Sequence, residues 1–278
     1  MRRSHLLLFA SLLAAPAALF GQQGDGETLT IMLSSNEGLR AQGMDYVVQQ
    51  IDFFNRDGSR SSARYFQQEF RWVPGDPRRG STGPELTYLF DTSWGDVTAS
   101  GLDRSAVENA MSRAAASWAA EPCSSGVPLV RVSHTGEDVT VFDYLVAGGG
   151  FGDPFAADVT VAGFPAAMAD FFGPNTLAFA VTFVFVDGSG EPTDIDGDRH
   201  LDTALNEIYL NPAFDWTLAA GGPGFDVETT ALHELGHAIG LGHFGAPPES
   251  VMSPVYNGTK RSLYPIYRSA LCVVHGRN

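Results

Sequence analysis

The run 231–243, ALHELGHAIGLGH, limits this chain more than any other stretch. His233 and His237 stand four residues apart, so on a helix they project from one face, one turn above the other. Two imidazoles at that spacing can share a single zinc ion. Glu234, next to the first of them, can take a proton from a metal-activated water without itself binding the ion. Gly240 lets the backbone leave the helix in a left-handed turn, which brings His243 to the same ion. Three protein ligands leave a fourth position for water, the arrangement of a catalytic rather than a structural zinc. A helix here is expected on other grounds as well. Leu232, Leu235 and Ile239 fall at i, i+3 and i+7, Asp226 suits an N-cap, and Glu228 sits in the first turn.

The extended motif H-E-x-x-H-x-x-G-x-x-H resembles that of the metzincin zinc endopeptidases. Those proteins carry a Met-turn after the third histidine, and Met252 in the run SVMSPVY, 250–256, fits it. The M-x-P-x-Y pattern is similar to the matrixin (matrix-metalloproteinase-like) branch. That resemblance implies that Pro254 and Tyr256 wall the pocket for the residue after the cut. Taken without its neighbours, Met252 reads as ordinary core. With proline at 254, the metal-binding tyrosine that astacins and serralysins carry two residues after the methionine is absent. The implied fold is α+β and zincin-like: a twisted mixed sheet, mostly parallel with an antiparallel edge strand, packed on helices. An active-site helix and a small C-terminal lobe with the Met-turn complete it. The implied substrate is an extended protein or peptide segment added to an exposed sheet edge. The chain is expected to act as a monomer.

Met1, Arg2 and Arg3 followed by an apolar stretch up to Phe20 read as a secretory signal peptide over 1–21. The protein is then expected to be secreted or extracellular, or periplasmic if its source is Gram-negative. No later run is apolar and long enough for a membrane helix, so no membrane insertion is expected. The formal net charge of −15 repels nucleic acid, which excludes that class of partner, and suits calcium as readily as it suits simple solubility. The two cysteines, Cys123 and Cys272, are compatible with one disulfide in an oxidising compartment or with two separate buried thiols.

Residues 22–68 are an N-terminal extension or a short pro-segment, and 69–278 the catalytic domain. Residues 28–33 read as a strand. The segment 22–68 has no cysteine to cap a zinc ion, as the matrixin switch requires. Asp76 is a candidate for the aspartate of astacin-like latency, or a turn residue. Residues 85–90, 127–132, 139–145 and 158–161 read as strands, 102–120 as a long helix, and 207–211 as a short strand. The substrate-binding edge strand falls within 177–186. A final helix begins at Pro265.

Matrixins hold a second, structural zinc through histidines. Phe179 stands where one of these is expected and His200 matches another, so that site is not expected here. Asp194, Asp196, Asp198 and Asp202 occupy positions 1, 3, 5 and 9 of a calcium-type loop, although Arg199 replaces the usual glycine at position 6. The bland reading is a solvated acidic loop. Two other functions stay open: a secreted non-catalytic binding protein, and a calcium-dependent surface protein, each on a protease-like scaffold.

Overall fold

A computed structural model of the chain describes residues 26–57, 69–81, 83–121, 129–134, 136–148, 152–244 and 250–275. The expected signal peptide, Cys123 and part of the 22–68 segment lie outside them. In chain order the helices are α1 (Gly26–Ala41), α2 (Arg104–Ala119), α3 (Val141–Ala147), α4 (Ala169–Phe172), α5 (Val227–Ala238) and α6 (Pro265–His275). The strands are β1 (Tyr46–Asn55), β2 (Phe70–Arg71), β3 (Leu86–Phe90), β4 (Leu129–Arg131), β5 (Val159–Gly163), β6 (Thr176–Phe185), β7 (Leu201–Leu210), β8 (Trp216–Thr217) and β9 (Phe225–Asp226).

The main sheet runs β1-β6-β7-β5-β3-β4, with β2 also paired to β7, and β8 and β9 form a separate short pair. Pairings among β2, β3, β4, β5 and β7 are parallel, whereas β6 is antiparallel to both β7 and β1. This is the mixed sheet with an antiparallel edge that the sequence implied.

Both faces of the sheet are covered. Ala178 and Ala180 of β6, with Ile208 and Leu210 of β7, join Trp118, Leu232 and Leu235 in the core beneath α2 and α5. Their alternate neighbours Phe179, Val181, Phe183 and Tyr209 join Leu39 of α1 and Phe142 of α3 on the other face. Side chains alternate across a strand, so a strand buried on both sides reads as one apolar run. That explains β6, in which every residue is buried.

Four expectations are corrected. Residues 28–33 lie within α1, and most of 139–145 forms α3, not a strand. The strand expected over 207–211 is the end of the ten-residue β7. And β6 is not an open edge: β1 pairs with it from Tyr46↔Phe185 to Asn55↔Thr176. Asp76 takes the turn reading. Its carboxylate accepts from Arg78, which also reaches Asp202. No helix among the described residues is long and apolar enough to cross a membrane.

Candidate metal centre and cleft

Helix α5 carries the site, and its ends are fixed by named contacts. Asp226 caps it, accepting from Thr229 N at 2.7 Å, and Arg261 holds the same carboxylate. Two indoles pin its later carbonyls: Trp118 Nε1 donates to Leu232 O at 2.8 Å and Trp72 Nε1 to Ala238 O at 2.6 Å. The helix stops where expected, with Gly240 at φ 92° and its N–H donating to His237 O. That conformation is costly for any residue with a Cβ. The chain then turns, and His243 is buried beside the other two histidines.

The three Nε2 atoms converge. His237 Nε2 stands 3.0 Å from that of His233 and 3.2 Å from that of His243. His233 Nδ1 donates to Val251 O at 2.7 Å, and His237 Nδ1 to Leu241 O at 2.8 Å. A carbonyl only accepts, so each Nδ1 carries the proton and each Nε2 presents a lone pair. Burial keeps the rings neutral. It pushes His237 down to about 4 and, helped by His237 and His243, holds His233 well below its usual value. Lone pairs converging at this range require a cation between them. Tetrahedral zinc with nitrogen ligands asks for a separation of about 3.3 Å, close to what is seen. The donor set fits zinc.

Glu234 is fully buried, and neither carboxylate oxygen has a hydrogen-bond partner among the described residues. An orphaned buried carboxylate is costly unless something else meets it. Burial, and then the nearby charge of Asp52, raise its proton affinity well above that of an ordinary glutamate.

Met252 lies under the site, buried, with its sulfur against Gly236; a Cβ built at Gly236 would stand 2.3 Å from it. Sequence reasoning missed Gly236, since a glycine inside a helix signals only a local weakness. Phe244 N donates to Met252 O at 2.8 Å, tying the third histidine's strand of chain to the Met-turn. Tyr256 OH accepts from Asp226 N at 3.2 Å, which places the expected pocket wall beside the start of α5.

The acidic loop behaves differently. Asp194, Asp196 and Asp202 bring ligand atoms within 4.8 Å of one another, but Asp198 turns away to Arg71 at 2.7 Å. Asp202 is taken by Arg78 and Thr193, and Asp194 accepts from Gly197 N and Arg199 N. His200 bonds only within its own loop, to Asp198. Among the described residues no other group of three ligands converges. Cys272 of α6 is disulfide-bonded; Cys123, the other cysteine of the sequence, lies outside the described residues.

A mixed sheet over a helix whose histidines converge, with Met252 packed beneath it, is the architecture of the metzincin fold. The resemblance to the matrixin branch is shown by comparison: residues 173–268 match the Peptidase M10 family, described as Matrixin. The chain is 30% identical to human matrix metalloproteinase-20 over 190 residues, 67% of this chain and 29% of that protein. It is 31% identical to rat matrilysin over 193 residues, 68% of this chain and 54% of that one. Human matrix metalloproteinase-25 is 42% identical over 65 residues, 23% of this chain and 10% of that protein. The chain thus spans well under two thirds of the relatives it matches.

Proposed function

We propose that the chain is a secreted zinc-dependent endopeptidase that hydrolyses internal peptide bonds of extended protein substrates. The observation that carries this reading is the convergence of His233, His237 and His243 Nε2 beside a Glu234 whose two oxygens meet no protein donor. Held by the three imidazoles, zinc would supply Lewis acidity toward a carbonyl and an acidified water.

The chain's own groups do the rest. Val251 O and Leu241 O fix the tautomers of His233 and His237 and aim their lone pairs inward. Glu234 takes the proton of the attacking water. Its raised proton affinity suits it to hold that proton and pass it to the leaving amine. Met252 fills the floor under α5. Pro254 and Tyr256 flank the side chain that follows the cut.

The test is zinc content by mass spectrometry together with digestion of casein and gelatin. Glu234→Ala is expected to keep one zinc and to lose cleavage by roughly a thousandfold or more. The same fragments at the same rate from Glu234→Ala would remove the proposed base. A zinc-bearing chain that cuts no peptide, even in the β1 variants below, would remove the endopeptidase reading and favour a binding protein on this scaffold.

For the acidic loop we propose calcium held by Asp194, Asp196 and Asp202, without the expected Asp198. Calcium chelation that spares zinc is expected to lower the melting temperature by a few degrees, and an unchanged melt would count against the ion.

A further inference from the structure

The cleft of the proposed endopeptidase already contains a strand, and it is the chain's own. The last residues of β1 lie between two segments. On one side Asp52 pairs with Ala180 and Phe54 with Ala178 of β6, antiparallel. On the other, Asn55 N donates to Pro254 O at 3.0 Å, and Tyr256 N donates to Asn55 O at 2.8 Å, a parallel bridge to Val255. These are the edge and the wall that an extended substrate needs. Arg56 N continues the run, donating to Asn175 O at 2.8 Å, and Thr176 Oγ1 donates to Asn55 Oδ1 at 3.1 Å.

The side chains are seated as deeply as the backbone. Phe54 is buried, with its ring flat on the His233 imidazole at 4.0 Å between centroids and 18° between planes. Its other neighbour is the Tyr256 ring at 5.9 Å. A large apolar ring so placed excludes water and any competing side chain. Asp52 is also buried, with Oδ2 3.7 Å from His237 Nδ1 and its carboxylate accepting from Gln50 Nε2.

We propose that residues 52–56 are a built-in occupant of the substrate cleft that keeps the protein latent, with Phe54 filling the pocket of the residue after the cut and Asn55 making the backbone pairs of a bound peptide. This rests on the endopeptidase reading of the same cleft and adds its regulation. No thiol is needed. Two-sided strand pairing and one aromatic ring block the cleft, and release requires that residues 52–56 peel from β6 and from 254–256. The occupant that replaces them is an extended peptide with a large aromatic side chain at the place of Phe54.

The experiment uses the full zinc-loaded chain and the fluorescein-labelled peptide QQIDFFNRD, which copies residues 49–57. Binding is read by anisotropy in the Glu234→Ala background, where no cleavage intervenes. Adding Asn55→Pro removes the N–H that reaches Pro254 O, and Phe54→Ala empties the pocket. Each is expected to tighten peptide binding by roughly tenfold or more, and to speed cleavage of a quenched peptide similarly when Glu234 is restored. Hydrogen exchange on the unaltered protein gives a readout free of variants. The amides of Asn55 and Arg56, which donate to Pro254 O and Asn175 O, are expected to be as protected as the amides of β6.

Exchange at those two amides as fast as in the free peptide would overturn the proposal, whether or not a variant folds. So would equal peptide binding with and without the substitutions, or self-cleavage between Phe53 and Phe54 seen by intact mass, which would make β1 a substrate. The two readings fail separately. Tighter peptide binding with no hydrolysis anywhere leaves the occupant and removes the endopeptidase. Undiminished hydrolysis by the unaltered chain with β1 still protected does the reverse.

Discussion

Gly236 and Met252 meet with no room for one more carbon: a Cβ on the helix would stand 2.3 Å from the sulfur and 3.0 Å from the terminal methyl. The Trp118 ring lies at 3.0 Å from the same point. The helix that holds two of the three histidines therefore rests directly on Met252. Gly236→Ala is expected to destabilise the protein by about 1–3 kcal/mol, the usual cost of overpacking, and to weaken zinc retention. Urea melts and zinc competition check both. Met252→Ala in the same chain makes room, so the pair is expected to cost less than the sum of the single changes. Strict additivity would place the strain elsewhere.

Arg79 and Asp158 form a buried fork-to-fork pair, with Nε to Oδ1 at 2.9 Å and Nη2 to Oδ2 at 3.0 Å. Asp158 Oδ2 also accepts from Thr87 N and Oγ1, and Arg79 reaches Val73 O and Glu85 O. One pair thus staples the segment before β3 to the start of β5. Arg79→Ala leaves a buried charge alone and is expected to cost about 3–5 kcal/mol in urea unfolding. A loss under ~1 kcal/mol would mean that water reaches Asp158.

Glu207 lies in the middle of β7, where burial raises it from 4.5 to about 8 despite donors from Val141 N, Phe142 N and Tyr209 OH. The unfolded chain gives up this proton near 4.5, whereas the folded chain keeps it until about 8. The stabilising contribution is therefore complete below 4.5 and is lost as pH rises to about 8. Its slope is at most ~1.4 kcal/mol per pH unit. Glu207→Gln cannot ionise, so its stability is expected to vary less across that window. Chemical denaturation at several pH values measures the difference, and parallel curves for the two proteins would rule out this carboxyl as the cause.

Asp226 serves three partners at the head of α5: Thr229 N, Thr229 Oγ1 and Arg261. Asp226→Ala removes the cap and is expected to cost about 1–2 kcal/mol. Asp226→Asn keeps an acceptor for the cap and is expected to lose less. Equal melts for the two variants would show that the ion pair with Arg261, not the cap, carries the effect.

Helix α5 was legible because its signals are local. Ligand spacing, the cap at Asp226 and the glycine at 240 all lie within 226–243. Helix α3 was not legible. Its short apolar run has no period that separates helix from strand. Its first N–H groups are met by Glu207, 65 and 66 positions away. β7 was read too short because Asp202 closes an acidic run that argues for a loop until its buried partner Arg78 is known. The place of β1 was hidden for the same reason. Its pairing with β6 joins residues far apart in sequence, from Tyr46↔Phe185 to Asn55↔Thr176, and no local pattern announces it.

Tyr267 and His275, both on α6, reach back to the segments that flank His243: the phenol meets Ser250, two residues before Met252, and the imidazole meets Ile239 O at 2.7 Å. During synthesis His233, His237 and His243 leave the ribosome before either of these clamps exists. The nascent polypeptide can therefore build most of its sheet while the cation cradle still lacks its final braces. A chain in which α6 has not folded back therefore lacks two of the contacts that brace the segments on either side of His243.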